Sequence, residues 1–221
     1  MESYYARRAA EYEKIYDKPE RQADLARLRN DIPAVFKGER VLEIACGTGY
    51  WTPLIAEQAE SVLAVDYSEE TLAIARAKNY PKGNVRFQRA DAYTLPDWQE
   101  KFSACYAGFW WSHVPLARLD AFLNGLQARL EPGARVAFMD NRYVEGSSTA
   151  ISRKDAQGNT YQRRRLDDGS SHEVLKNFPA GPELRARLGR FGTAVTFSEC
   201  EYYWLATYRI MAGTNPGGGK R

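Results

Sequence analysis

The stretch VLEIACGTGYWT, Val41 to Thr52, decides how the chain is read. A short apolar run holding one carboxylate, Glu43, enters a bend containing Gly47 and Gly49 and leaves it through Tyr50 and Trp51. A strand running into a glycine bend and then a helix is where α/β sheets hold nucleotide-like ligands. A nicotinamide-binding turn has the order G-x-G-x-x-G, whereas here two glycines are followed by bulky rings. Glu43, just before the bend, points the same way, because a carboxylate repels a diphosphate and attracts an ammonium group. The bend therefore favours a cationic ligand.

Outward from this stretch the chain alternates. Strands are expected at RVLEIA, SVLAVD, NVRFQRAD, FSACYAGF and RVAFMDN, with helices at Tyr50 to Gln58, SEETLAIARAKNY and LARLDAFLNGLQARL, and a turn at Glu131-Pro132-Gly133. Short apolar strands alternating with helices predict a parallel sheet covered on both faces. Upstream, Tyr5, Ala9, Tyr12 and Tyr16 recur at helical spacing, Pro19 interrupts, and ERQADLARLRNDI gives a second helix. Downstream, the rhythm fails from Arg142 to Lys176 in a polar stretch longer than ordinary connections, of a kind that is functional or disordered. A helix at PELRARLGRF and strands at TAVTFSEC and EYYWLATYRI close the sheet.

With 221 residues and 44% hydrophobic content the chain can bury one sizeable core. One domain is expected over residues 1–211: a helical lid (1–34), a cofactor-binding core (35–141), a substrate-side insertion (142–176), a C-terminal helix and strands (177–211), then a flexible tail (212–221). The charged N-terminus and the lack of a long apolar run predict a cytoplasmic protein. Cys46, Cys105 and Cys200 are far apart without a CxxC pair, so buried thiols are expected and no metal site. The net charge of +3 is spread along the chain, giving no basic stripe for nucleic acid. The run Arg163-Arg164-Arg165, followed by Asp167 and Asp168, reads as a self-neutralising solvated face, with an anion-binding or gating role as the other option.

From Val35 to Asn141 the order of these residues resembles the class I S-adenosylmethionine-dependent methyltransferases of the small-molecule branch. Their glycine motif commonly reads acidic-x-G-x-G-x-G, here Glu43 to Gly49 with Ala45 at the first glycine. The resemblance implies a Rossmann-like, doubly wound, mostly parallel seven-stranded sheet with an antiparallel C-terminal strand and an N-terminal helical lid. It implies S-adenosylmethionine as cofactor, bound around Ala45, Cys46, Gly47, Gly49 and Tyr50. Asp66, ending SVLAVD beside Tyr67, matches the carboxylate that grips both ribose hydroxyls, and Asp91-Ala92 match the adenine station. In GFWWSHVP it implies Gly108 and Phe109 near the methionine amine, Trp110 or Trp111 beside the sulfonium, and His113 facing substrate as the candidate general base.

The N-terminal tyrosines Tyr4, Tyr5, Tyr12 and Tyr16 could roof the site, Tyr16 and Tyr12 foremost. A small acceptor, aromatic or heterocyclic and able to carry an anionic group, would suit such a chamber. His172 is expected at the surface. GFWWSH lacks the Asn/Asp-Pro-Pro-aromatic tetrapeptide of enzymes that methylate base amino groups, which speaks against a nucleic-acid acceptor. Other readings are a methyltransferase acting on protein or RNA, a non-catalytic binding module that keeps the pocket, and a nicotinamide-dependent oxidoreductase.

Overall fold

The computed structural model describes residues 9–166 and 168–211. Tyr4, Tyr5, Asp167 and the 212–221 tail lie outside the described residues. A seven-stranded sheet forms the centre, with strands β1 (Arg40–Ile44), β2 (Ser61–Asp66), β3 (Val85–Arg89), β4 (Phe102–Gly108), β5 (Leu130–Asn141), β9 (Gly192–Glu199) and β10 (Tyr203–Ile210). Their order is β3-β2-β1-β4-β5-β10-β9. Pairing from β3 to β5 is parallel, and β10 runs antiparallel to both β5 and β9. This is the doubly wound sheet with an antiparallel C-terminal strand that the alternation predicts.

Central strands buried on both faces need apolar side chains on both. In β1, Leu42 and Ile44 pack on one side and Val41 on the other. Helices α1 (Gln22–Val35) and α2 (Thr52–Gln58) cover the Val41 side through Leu25, Leu28, Ile32 and Ile55. Helices α4 (Leu119–Gln127) and α5 (Gly181–Gly189) cover the other through Phe122, Leu126, Leu184 and Leu188. Helix α3 (Glu69–Arg76) opens at Ser68, whose hydroxyl accepts from the Thr71 amide. It stops four residues before the sequence pattern, which runs to Tyr80. Strand β5 starts at Leu130 and takes in the expected Glu131-Pro132-Gly133 turn as a register irregularity opposite β4.

The 142–176 segment is not a loop. Strands β6 (Ile151–Lys154), β7 (Thr160–Arg165) and β8 (Ser171–Leu175) form a separate three-stranded antiparallel sheet. Its hairpin turns are set by Gly158 and Gly169, both at positive φ. At its far end Lys176 carries the chain back under the carboxyl end of β5. The N-terminal residues Ala9–Tyr16 form a 3-10 turn, not the full helix the tyrosine spacing suggests. No helix among the described residues is long and apolar enough to cross a membrane.

Candidate active site

At the carboxyl ends of β1, β2 and β4 lies a cleft of about 340 Å³, lined by Ala45, Gly47, Asp66, Tyr67, Asp91, Ala92, Tyr93, Phe109 and Trp110 among others. The glycine bend forms one wall. Gly49 has φ +72, and a Cβ there would stand 2.9 Å from the Ala75 side chain, so α3 approaches the turn only because the residue is glycine. Ala45 also adopts a left-handed conformation, φ +53. The alanine in place of the first glycine therefore costs backbone energy.

Asp66 is built into this wall. Its Oδ2 accepts from the Gly47 amide at 2.9 Å, and its Oδ1 accepts from the Ser68 amide at 2.9 Å and the Thr71 hydroxyl at 3.2 Å. Burial pushes its carboxyl above the usual carboxylate range against these donors. Each carboxylate oxygen offers about two acceptor directions. Oδ2 keeps one, so a two-oxygen grip on a ribose requires Thr71 to release Oδ1. Asp91 is differently placed: its Oδ1 caps the turn by accepting from the Tyr93 amide at 2.8 Å. Its Oδ2 has no protein donor among the described residues.

The opposite wall is aromatic. Trp110 lies 5.5 Å from Tyr93, whose ring carries the Arg118 guanidinium at 3.6 Å. The Tyr93 hydroxyl and the Trp110 Nε1 are buried without a hydrogen-bond partner among the described residues. Such orphaned donors are costly unless a ligand or water completes them. Phe109 sits at φ +56, held by its amide donating to the Met139 carbonyl at 2.7 Å. A bulky residue in that conformation is strained, which clusters at functional sites.

Not every residue chosen from sequence reaches the cleft. Glu43 is 2% exposed and lies behind the bend, and burial raises its carboxyl to about 8. It is therefore not the charged pocket floor expected from its position in the motif. Tyr16 is 4% exposed and stacks on Tyr50 with ring centroids 3.6 Å apart, next to Trp51. Tyr16, Cys46, Gly49 and Tyr50 support the wall from behind, and among the described residues Tyr12 is the N-terminal tyrosine that lines the cleft. Its turn is fastened by Glu13, which accepts from the Thr48 hydroxyl at 2.7 Å and pairs with Lys78. Trp111 is core, 5.0 Å from Phe138. Of the cysteines, Cys105 is buried and Cys46 and Cys200 are half-buried; all three are free.

A second cavity, about 280 Å³, adjoins the first and shares Tyr12, Phe109 and His113 with it. The 3-10 turn, the β6–β8 sheet and the end of β5 enclose it. Beneath it Asp140 and Lys176, 0% and 3% exposed at the side chain, form an ion pair at 2.7 Å. Asp140 also accepts from the Ser112 amide at 2.9 Å, and Lys176 donates to the Ser112 hydroxyl at 2.6 Å. Burial lowers Lys176 to about 8, with Asp140 opposing and Arg164 adding to the fall. The Asp140 carboxyl, despite burial, is held below its usual range by Lys176.

His113, on the one-turn segment Trp111–His113, faces both cavities. Its Nδ1 lies 2.7 Å from the Leu175 carbonyl, which can only accept, so Nδ1 carries the proton and Nε2 is the acceptor nitrogen. Burial, reinforced by Lys176 and Arg164, holds the imidazole well below its ordinary range. It is neutral at physiological pH and a weak proton acceptor. Arg163 and Arg165 are exposed, as a solvated face requires, and Arg164 between them is half-buried; all three border the second cavity. His172 is half-buried, 2.9 Å from the Ser170 hydroxyl. Sequence reading missed Asp140, Lys176, Tyr93 and Arg118. Only Asp140 carried a signal, a carboxylate at the carboxyl end of a predicted parallel strand.

A methyltransferase-domain family matches residues 41–133. DhpI in complex with SAH superposes with a TM-score of 0.77 at 29% identity, covering 95% of this chain and 94% of that one. The DhpI-SAM-HEP complex gives a TM-score of 0.76 at 31% identity, covering 93% and 94%. The chain belongs to the class I S-adenosylmethionine-dependent methyltransferases. A 2-phytyl-1,4-naphtoquinone methyltransferase from Synechococcus elongatus is 36% identical over 109 residues, 47% of this chain and 46% of that protein. The chain thus spans about half the length of the curated relatives it matches.

Proposed function

We propose that this chain transfers a methyl group from S-adenosylmethionine to a small acceptor molecule. The observation that carries the reading is the meeting of two cavities at Tyr12, Phe109 and His113, one walled by Asp66, Asp91 and the glycine bend, the other by the inserted sheet. The first cavity fits the methyl donor. Among the described residues, Asp91 Oδ2, the Tyr93 hydroxyl and the Trp110 Nε1 are polar atoms without protein partners, and Gly47 presents bare backbone.

When bound, S-adenosylmethionine supplies a methyl group already activated on a sulfonium. What remains for the protein is to align two reactants and exclude water, which can contribute roughly 7–11 kcal/mol. In this reading Asp66 and Asp91 hold the nucleoside, Phe109 and Trp110 form the wall beside the reacting carbon, and Tyr12 closes the roof. His113 orients the acceptor through Nε2, its ring fixed by Leu175. Its depressed proton affinity makes it a positioning group in preference to a general base. Phe109 and Phe178 offer ring faces to an acceptor with an aromatic or heterocyclic body.

Calorimetric titration of the whole chain with S-adenosylhomocysteine tests the reading. One-site binding in the micromolar range is expected, weakened about tenfold or more by Asp91→Ala, since a hydrogen bond to a charged group contributes roughly 1.5–3 kcal/mol. No binding, or full affinity in both Asp91→Ala and Asp66→Ala, overturns it.

A further inference from the structure

Lys176 joins the inserted sheet to the core, one residue beyond β8, and its side chain is 3% exposed. A lysine ammonium carries three N–H donors and no acceptor. One donates to Asp140 Oδ1 at 2.7 Å and a second to the Ser112 hydroxyl at 2.6 Å. The third has no acceptor among the described residues. Lys176 borders the second cavity, and its Nζ lies 6.0 Å from the centroid of the Phe109 ring, which lines both cavities. What stays open at Lys176 is a donor direction and not a charge, since Asp140 neutralises it. A buried donor on a charged group is costly to leave without an acceptor, and the cavity is the space beside it.

The ammonium is fixed from several elements. Asp140 on β5 also accepts from the Ser112 and Asn141 amides, at 2.9 and 2.7 Å, and the Asn177 amide donates to the Ser112 carbonyl at 2.8 Å. The titratable and charged groups that act on Lys176 are Asp140 from β5, His113 from the one-turn segment, Arg164 from β7 and Arg21 just before α1. Burial lowers the amine most, Arg164 and Arg21 add to the fall, and Asp140 opposes them, leaving it at about 8. At physiological pH Lys176 is therefore a cation, a donor and not a base.

Lone pairs then distinguish the atoms that can take the methyl group. A hydroxyl oxygen has two, so it can accept from Lys176 with one and attack a methyl carbon with the other. An amine nitrogen has one, which cannot do both, and its protonated form is repelled by the ammonium. A cation bound to a hydroxyl favours the ionised form, and an opposite charge within about 4–6 Å lowers such a pKa by about 1–3 units. This is the activation that His113, held neutral and a weak proton acceptor, does not supply. The ring faces of Phe109 and Phe178 border the same cavity.

We propose that Lys176 receives the methyl-accepting atom itself through its third N–H, and that this atom is the oxygen of a hydroxyl carried on an aromatic or heterocyclic body. The methyl transfer rests on the function proposed above; the oxygen site rests on Lys176 and its cavity. On binding, the hydroxyl proton leaves to solvent. In the transfer an oxygen lone pair forms the new O–C bond, the C–S bond breaks with its pair left on sulfur, and both reacting centres end neutral.

The test uses 4-nitrophenol, whose ionised form absorbs in the visible, titrated against the whole chain with and without saturating S-adenosylhomocysteine. Its cationic counterpart is 4-nitrobenzylamine. The parent is compared with Lys176→Met/Asp140→Asn, which removes both charges together, and with Lys176→Gln, which keeps an N–H for Asp140; thermal melts confirm folding of each. Bound 4-nitrophenol ionises about one pH unit lower than free, the low end of the range because Asp140 lies behind the ammonium. The shift disappears in both variants, and 4-nitrobenzylamine binds the parent about tenfold or more weakly than 4-nitrophenol. The proposal is overturned if 4-nitrophenol does not bind, if its ionisation midpoint stays at the free value, if the shift survives in either folded variant, or if 4-nitrobenzylamine binds as tightly. Loss of S-adenosylhomocysteine binding with the shift intact refutes the proposed function and leaves the Lys176 site standing.

Discussion

The two cavities share three side chains yet differ in construction. The donor half is walled by Asp66 and Asp91 and is made of strand ends and the tight loops that follow them. The other half is bordered by Lys18, Arg21, Arg164 and Lys176, and is assembled from an N-terminal turn, an inserted antiparallel sheet and the end of β5. The first is written in contiguous stretches of sequence. The second exists only after residues as distant as Arg21, Asp140 and Arg164 are folded together. A fold shared by many chemistries can keep the first and vary the second, which is where the specificity of this chain resides.

The largest expected effect falls on the floor of the acceptor half. Lys176→Met strands Asp140 as a buried carboxylate, and breaking such a pair costs about 3–5 kcal/mol. Denaturant unfolding measures it, and the double variant Lys176→Met/Asp140→Asn recovers part of the loss. A change below about 1 kcal/mol in the single variant means the pair is not what fixes the floor.

On the donor side, Glu43 gives a pH-dependent effect. Its carboxyl stands near 8 when folded against an ordinary 4.5. Below about 4.5 it is protonated in both states. Between there and about 8 the unfolded chain ionises while the native one resists, so its contribution to stability falls as pH rises. Glu43→Gln removes the effect. The unfolding free energy of the variant therefore rises relative to the parent between pH 5 and pH 8, by about 5 kcal/mol at most. Parallel pH profiles for the two proteins would show that Glu43 is ionised in the fold.

The smallest effect is at Ala45. Left-handed backbone costs a non-glycine residue about 1–2 kcal/mol, and glycine returns about 0.4–1 kcal/mol of that through the unfolded chain. Ala45→Gly is thus expected to stabilise by about 0.5 kcal/mol without altering S-adenosylhomocysteine affinity. Destabilisation would place the strain elsewhere.

This asymmetry also explains what the sequence made legible. Strand and helix alternation and the glycine bend predict the central sheet, and Ala45, Gly47, Asp66, Tyr67, Asp91, Ala92, Phe109, Trp110 and His113 all line one cleft at the strand ends. Glu43, Tyr16, Cys46, Gly49 and Tyr50 do not, because period-two and period-four spacing say which residues share a face but not how deeply a neighbour buries them. Arg142 to Lys176 read as an irregular stretch since β6 to β8 bury few side chains and carry exposed Arg, Lys and Glu. Its hairpins gave only Gly158 and Gly169 as signals. Lys176 had none, since a lysine is ordinarily exposed and its partner lies 36 residues away in the chain.

Titrating S-adenosylhomocysteine into Asp91→Ala and into Arg164→Gln tests the division of the site most directly. Two independent halves predict that Asp91→Ala loses about tenfold in affinity and that Arg164→Gln stays within about twofold of the parent. Equal loss in both variants, each shown to be folded, would contradict the account.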